Sequence, residues 1–393
     1  MSKKPLTIGF VSSYIPRECG IATFTNNLKL AIESADRTVR IKIIAMNDAK
    51  YKYPEQVVTS IDQNDDKSYV KAAEFINKSD IDVVSVQHEF GIFGGFNGNK
   101  LLILLKHLKK PVVMTMHTVP ISTTHPIPLT AKRKKSRTKL IRKMFPYVQK
   151  IDIMIQTSKE FLHDHMDIPN SHIDVIPHGA PKISGETLNN YKKLKTSLGF
   201  EKDDFVLTTF GLIAPKKGLE FVVQALPKII KKNPGVKIKY LIAGRMHPKK
   251  PKIYLENLKK MAKDLGVDKN VIFDNRYLTF SEIYKYLANT NIYITPYYTK
   301  EQSSSGTLSY AIATGRCIVS TPYVFAREMI ERKHIGELAD FKSSNSIAVV
   351  VNKLIKNPDL LKKHEEKSYE LGKTIYWDKV GQAYIDSFKS VLK

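Results

Sequence analysis

Lys216 and Lys217 follow an apolar run, Phe205–Phe210, and a Gly211-Leu-Ile-Ala-Pro turn, and stand just before a stretch of helical spacing. Fixed cations at such a turn can neutralise a phosphate group as charge develops on it; the plain alternative is a pair of solvated lysines. The segment Pro296–Arg316 is denser in polar groups. Ser303, Ser304, Ser305, Gly306 and Thr307 precede a helical pattern, with Glu301 and Gln302 beside them. Their hydroxyls and backbone N–H groups suit phosphate or sugar oxygens, although a serine-rich N-cap would look similar. Near the N-terminus, Ile8–Ser13 runs through Tyr14-Ile-Pro-Arg-Glu-Cys into Gly20 and a helix, a geometry open to an anion or simply a turn whose packing needs glycine. Gln87-His-Glu-Phe-Gly-Ile-Phe-Gly-Gly and Met116-His117 each follow a strand-like run. They offer His88, Glu89, Gly94 and His117 to a ligand face, or else two histidines satisfied in a core.

These residues need strand ends and helix starts to hold them. Leu6–Val11, Val39–Ala45, Val83–Val86, Val112–Met116, Ile151–Gln156 and Ile173–Ile176 read as buried strands, with helical spacing at Ile21–Glu33 and Leu101–Leu108. The alternation predicts βα units and a parallel sheet. A second series repeats it: strands at Phe205–Phe210, Ile238–Ala243, Val271–Phe273, Ile292–Thr295 and Cys317–Ser320, with helices at Gly218–Lys231, Lys252–Leu265, Ser281–Ala288 and Thr307–Ala313. The expected organisation is an α/β domain over 1–185, a polar linker at 186–204, a second α/β domain over 205–375 and a last helix over 376–393. Trp377, Val380, Tyr384 and Phe388 give that helix a face to bury.

A chain of 393 residues exceeds what one core comfortably serves, which agrees with two domains. Cys19 and Cys317 match neither a disulfide framework nor a metal spacing, and no Asp-x-Asp metal motif stands at a strand end. No metal or cofactor is expected. Without a signal-like h-region or a long apolar run, the expected location is cytoplasmic. The formal charge of +25 favours anionic partners. Eight basic residues crowd Ala131–Phe145, leaving open peripheral contact with the inner face of an anionic membrane beside the plain reading of a solvated helix. Aromatics are not interleaved through that run, so no nucleic-acid partner is expected.

In their order, Pro16–Phe24, Gln87–Gly95, Thr115–Thr118, Val175–Gly179, Phe210–Gly218, Ile242–Pro248, Tyr297–Gly315 and the tryptophan-bearing last helix resemble glycosyltransferase family 4. The resemblance covers nearly the whole chain. It implies a GT-B fold: two Rossmann-like domains with parallel sheets facing a central cleft, and a C-terminal helix crossing back to the N-terminal domain. It also implies a retaining hexosyltransferase, mannose or glucose favoured, working from a GDP- or UDP-linked sugar onto a saccharide or lipid-linked acceptor. Gly20 and Lys217 would then meet the donor diphosphate and His117 the transferred sugar. Lys216, Gln302, Ser303, Ser304, Ser305, Gly306, Thr307 and Tyr310 would complete the donor side. His88, Glu89 and Gly94 would serve the acceptor, with Glu301 a carboxylate at the reaction.

The chain departs from the family pattern in places. Leu212 stands where members usually carry an arginine. Gln302 and Tyr310 stand in place of two glutamates separated by seven residues. A tyrosine cannot accept from a ribose in the bidentate way of a carboxylate. Two alternatives follow: a GT-B glycoside phosphorylase with inorganic phosphate in the serine loop, and a non-catalytic sugar- or nucleotide-binding protein.

Overall fold

The computed structural model describes residues 5–121, 128–246 and 253–392, with the backbone alone for 128–133. It divides into two compact units, Met1–Gly179 with Trp377–Lys393, and Ala180–Tyr376.

The N-terminal unit is built on seven strands: β1 (Thr7–Ser12), β2 (Arg40–Asn47), β3 (Val57–Asp62), β4 (Val83–His88), β5 (Val112–Met116), β6 (Lys150–Ile153) and β7 (Ile173–Val175). Their order is β3-β2-β1-β4-β5-β6-β7, and every pairing is parallel. β1 is buried along its whole length, as a strand covered by helices on both faces must be. Helix Gly20–Ala35 and the last helix, Trp377–Ser390, share one face of the sheet. There Phe10, Phe24, Leu28, Trp377, Tyr384 and Phe388 form one apolar cluster. The two helices approach closely because Gly381 lies against the backbone of Ala31, where a Cβ would sit 2.7 Å from its carbonyl carbon. The last helix therefore belongs to the N-terminal unit, as the resemblance implies, and its apolar face is buried there.

The C-terminal unit has β8 (Phe205–Phe210), β9 (Ile238–Ala243), β10 (Val271–Asp274), β11 (Ile292–Thr295), β12 (Cys317–Ser320) and β13 (Gly336–Leu338). The order is β10-β9-β8-β11-β12-β13, again all parallel. Each sheet has a point where strand order reverses, β1/β4 in one and β8/β11 in the other. Open α/β sheets hold ligands beyond the strand ends at such points.

The stretch expected as a linker is folded. Ser184 caps helix Gly185–Lys192 by accepting from the Thr187 N–H, Leu188 is buried, and Asn289 Nδ2 donates to the Tyr191 carbonyl at 2.8 Å. Polarity there marks a helix lying on the surface of the C-terminal unit. The chain divides instead after Gly179 and after Tyr376.

Candidate functional site

In the C-terminal unit the β8/β11 crevice is shaped by backbone approach. Gly244 has φ 130° and lies so near Gly211 that a Cβ would meet the Gly211 carbonyl oxygen at 2.2 Å. Beyond β8, the 3-10 turn Pro215–Lys217 ends in Gly218, at φ 65°, where a Cβ would meet the Pro296 oxygen at 2.1 Å. Only glycine fits both the left-handed backbone and that contact. The turn is thereby pinned to the exit of β11, and Lys217 Nζ comes to lie 3.7 Å from the centre of the Tyr297 ring. A cation over an aromatic face is attracted by the ring quadrupole. Lys217 is half-buried and, among the described residues, has no carboxylate partner; burial pulls its ammonium down to about 8. Thr209, Gly211, Ile242 and Tyr297 share a small recess with it.

From Tyr297 a row of hydroxyls leads to the next helix. Its phenol meets Thr307 Oγ1 at 3.2 Å, and Thr307 meets Ser305 Oγ at 3.4 Å. Ser305 is the N-cap of helix Gly306–Ala313 and accepts from the Leu308 N–H, so the capping reading holds for this serine. Ser303 is buried, and Gln302 Nε2 donates to the Ser304 carbonyl at 2.9 Å. Lys216 is exposed, apart from the recess that Lys217 lines. Glu301 is half-exposed in the turn before the serines and makes no ion pair among the described residues. Tyr310 is only 7 % exposed, stacked on Phe210 with centroids 6.3 Å apart and met edge-on by Phe280. Its ring is part of an aromatic packing unit.

In the N-terminal unit the crevice lies where β1 and β4 end. Gly20 opens helix Gly20–Ala35 and is exposed; a Cβ there would meet nothing within 4 Å, and its φ is ordinary. The turn therefore does not need glycine for packing. Cys19 caps this helix with a thiol that accepts from the Ala22 N–H at 3.4 Å.

His117 is 3 % exposed at the end of β5, with its Nε2 2.9 Å from Gln87 Oε1 and its ring edge-on to Phe24 at 4.7 Å. Burial, then the neighbouring His178 and His88, push the imidazole down to about 3, so it is neutral across the working range. Glu89 is held locally: Thr118 Oγ1 donates to it at 2.6 Å, and the Phe90 N–H at 3.0 Å.

Two expected acceptor residues are corrected. His88 is fully buried, its ring edge-on to Phe90 and stacked on Phe93, and neither nitrogen has a hydrogen-bond partner. It is a core residue because β4 is covered on both faces along its length. Gly94 is a packing glycine, since a Cβ would lie 1.5 Å from the Gln63 oxygen. Sequence reasoning missed Gln87 and Tyr297. The first stood in the quoted motif without a role, and the second reads as one more aromatic beside a strand.

The basic run forms helix Pro128–Met144, exposing Lys135, Lys139, Arg142 and Lys143, with Arg137 stacked 4.4 Å over Phe90. No helix among the described residues is long and apolar enough to cross a membrane. Among the described residues one acidic group could gather a cation, Glu201, Asp203 and Asp204, but it precedes β8 at the end away from the crevice, and Lys237 pairs with its exposed members.

Comparison with known proteins accords with this geometry. The family described as Glycosyltransferase Family 4 matches residues 28–181, and that described as Glycosyl transferases group 1 matches 190–371. An alpha-monoglucosyldiacylglycerol synthase of Streptococcus pneumoniae is 24% identical, covering 97% of this chain and 86% of its own length. An uncharacterized glycosyltransferase of Methanocaldococcus jannaschii is 26% identical over 99% of this chain and 100% of its own. Among solved structures, HepE of Anabaena in complex with UDP superposes with a TM-score of 0.74 at 15% identity, covering 98% of this chain and 100% of that one. The same protein has also been solved with UDP-glucose. With its two parallel-sheet units matched in turn by the two halves of this enzyme class, the chain belongs to the family 4 glycosyltransferases of GT-B fold.

Proposed function

We propose that the chain is a retaining glycosyltransferase that takes a hexose from a nucleoside diphosphate sugar, UDP-glucose foremost, and delivers it to a saccharide or lipid-linked acceptor. The observation that carries this reading is Lys217. A half-buried cation with no carboxylate partner among the described residues, set at the β8/β11 crevice, calls for an anion, and a diphosphate supplies one. Its charge would stabilise the leaving diphosphate as the sugar bond breaks. The hydroxyls of Ser305 and Thr307 offer further contacts, and neutral His117 offers a hydrogen bond to the sugar. Retention then needs no side-chain nucleophile, because the leaving phosphate can assist deprotonation of the acceptor on the same face. No metal is assigned a part, so EDTA should leave turnover unchanged; inhibition that manganese reverses would overturn that. The glucosyl-lipid synthase relative supports glucose and a lipid acceptor, and the exposed lysines of helix Pro128–Met144 would suit an anionic surface.

Thermal unfolding with UDP, GDP, ADP, their glucose and mannose conjugates, and inorganic phosphate tests the reading, because a ligand of the native state raises its apparent stability. A selective rise with one nucleotide supports the transferase and names its base. A response to phosphate alone would replace it with phosphorolysis, the reading favoured by the burial of Tyr310 among aromatics. Binding without turnover on any acceptor would leave a non-catalytic protein.

A further inference from the structure

We infer that Gln87 is a positioning residue: it fixes His117 as the Nε2–H tautomer, so that Nδ1 is the nitrogen carrying the lone pair. The argument begins in the sheet. β4 and β5 are parallel neighbours with Gln87 opposite Thr115, one residue short of the strand ends. Gln87 Nε2 donates to Ser85 Oγ at 3.0 Å and to Thr115 Oγ1 at 3.2 Å. Ser85, Gln87 and Thr115 are all fully buried.

A primary amide has two protons on nitrogen and none on oxygen. With the amide nitrogen placed toward the two hydroxyls, the oxygen is left facing His117 Nε2 at 2.9 Å, where it can only accept. The proton in that bond must come from the ring. A neutral imidazole carries one proton, and His117 is kept neutral by burial and by the facing His178 and His88. The proton on Nε2 is therefore its only one. The ring cannot turn to exchange its nitrogens cheaply, because Phe24 stands edge-on to it.

Gln87 thus acts through His117. A hydroxyl that meets Nδ1 must donate to it, and His117 is excluded as a proton donor to any oxygen at that nitrogen. For the reaction this rests on the proposed role of His117 at the transferred sugar, where it selects a hydroxyl able to point its proton at the ring. The tautomer itself does not depend on that role.

The test is long-range proton–nitrogen correlation NMR on the full chain labelled with nitrogen-15 histidine, the His117 signals identified by their loss in His117→Asn. Expected is a protonated Nε2 and an unprotonated Nδ1 at every pH from about 5 to 9. An Nδ1–H ring, or an averaged pair of tautomers, overturns the inference. In Gln87→Glu a carboxylate faces the Nε2–H and favours the imidazolium. His117 should then titrate at higher pH, and kcat/KM should gain an acid limb falling about tenfold per pH unit. A purely packing role for Gln87 would lower thermal stability in Gln87→Glu and Gln87→Leu without moving the His117 resonances, and that result also overturns it. If the resonances move as expected while the pH dependence of turnover does not, the tautomer stands and the sugar-facing role of His117 falls.

Discussion

The two units place similar crevices at the same topological point and fill them with opposite chemistry. Beyond β1 and β4 the N-terminal unit offers neutral groups fixed by hydrogen bonds, His117 on Gln87 and Gln87 on Ser85 and Thr115; behind them lies the buried carboxyl of Asp152, which accepts from Ser387 Oγ at 2.9 Å. Beyond β8 and β11 the C-terminal unit offers a cation, Lys217, on an aromatic face and beside hydroxyls. His88, His117 and His178 are all held neutral by burial, at about 3, 3 and 4. The difference teaches which half meets charge. A buried array of neutral groups discriminates hydroxyl geometry, whereas an unpaired cation is worth most where negative charge grows.

The largest expected effect removes that cation. Lys217→Ala should lower kcat/KM on the order of 10²-fold or more, while Lys217→Arg, which keeps the charge, should recover part of it. Steady-state rates with the donor found by thermal shift read this out. Unchanged turnover in the alanine variant would erase the contrast between the units.

Next in size is the buried carboxylate under the last helix. Burial pushes Asp152 up to about 7, partly countered by the Ser387 hydrogen bond. A carboxylate whose folded pKa lies above its ordinary value of 3.8 binds more protons folded than unfolded. The native state accordingly loses stability as pH rises from about 4 to 7. Asp152→Asn removes that loss and should be the more stable protein by up to about 4 kcal/mol at pH 8, with little difference at pH 4. Chemical denaturation at both values measures it. Equal stability at pH 8 would mean that Asp152 is already open to water.

A smaller effect separates the units by pH. Lys217 sits at about 8 without ligand, and a bound diphosphate would favour the charged form and raise it. Binding above pH 8 must then take up a proton, so nucleotide affinity should fall by about tenfold for each unit of pH above that point. Titration calorimetry in two buffers of different ionisation heat would show the uptake. Lys217→Arg should abolish the dependence, because a guanidinium stays charged. A pH-independent affinity in both proteins would move the anion away from Lys217.

The sheets were readable because strands buried on both faces are uniform apolar runs. Phe205–Phe210, Ile238–Ala243, Ile292–Thr295 and Cys317–Ser320 have in the structure the bounds their composition predicts. β3 escaped because it is an edge strand in which every second residue is exposed, and Val57–Asp62 carries as many polar as apolar residues. β13 is a three-residue edge strand with little signal. Among candidate residues, the position of Lys217 was legible because a glycine turn between a strand and a helix announces it. His88 misled because a strand's last residue looks the same whether it faces a crevice or a core. Gln87 was invisible for another reason: its role depends on Thr115 and His117, which chain topology alone brings to it.

The smallest effect concerns the start of helix Gly20–Ala35. Its N-cap is Cys19, whose sulfur accepts weakly at 3.4 Å, whereas the helix after Ser305 has a hydroxyl in that place. Hydroxyls cap better than thiols. Cys19→Ser should therefore raise stability by about 0.5 kcal/mol, read as a small rise in melting temperature. Activity then decides what the cap is for. Gly20 leaves open space that packing does not require, so a ligand approaching the helix start would compete with a stronger cap for the same N–H groups. A stabler protein with weaker nucleotide binding would give the N-terminal unit its own anion contact and narrow the contrast with Lys217. A stabler protein with unchanged binding would leave the charge of the donor to the C-terminal unit.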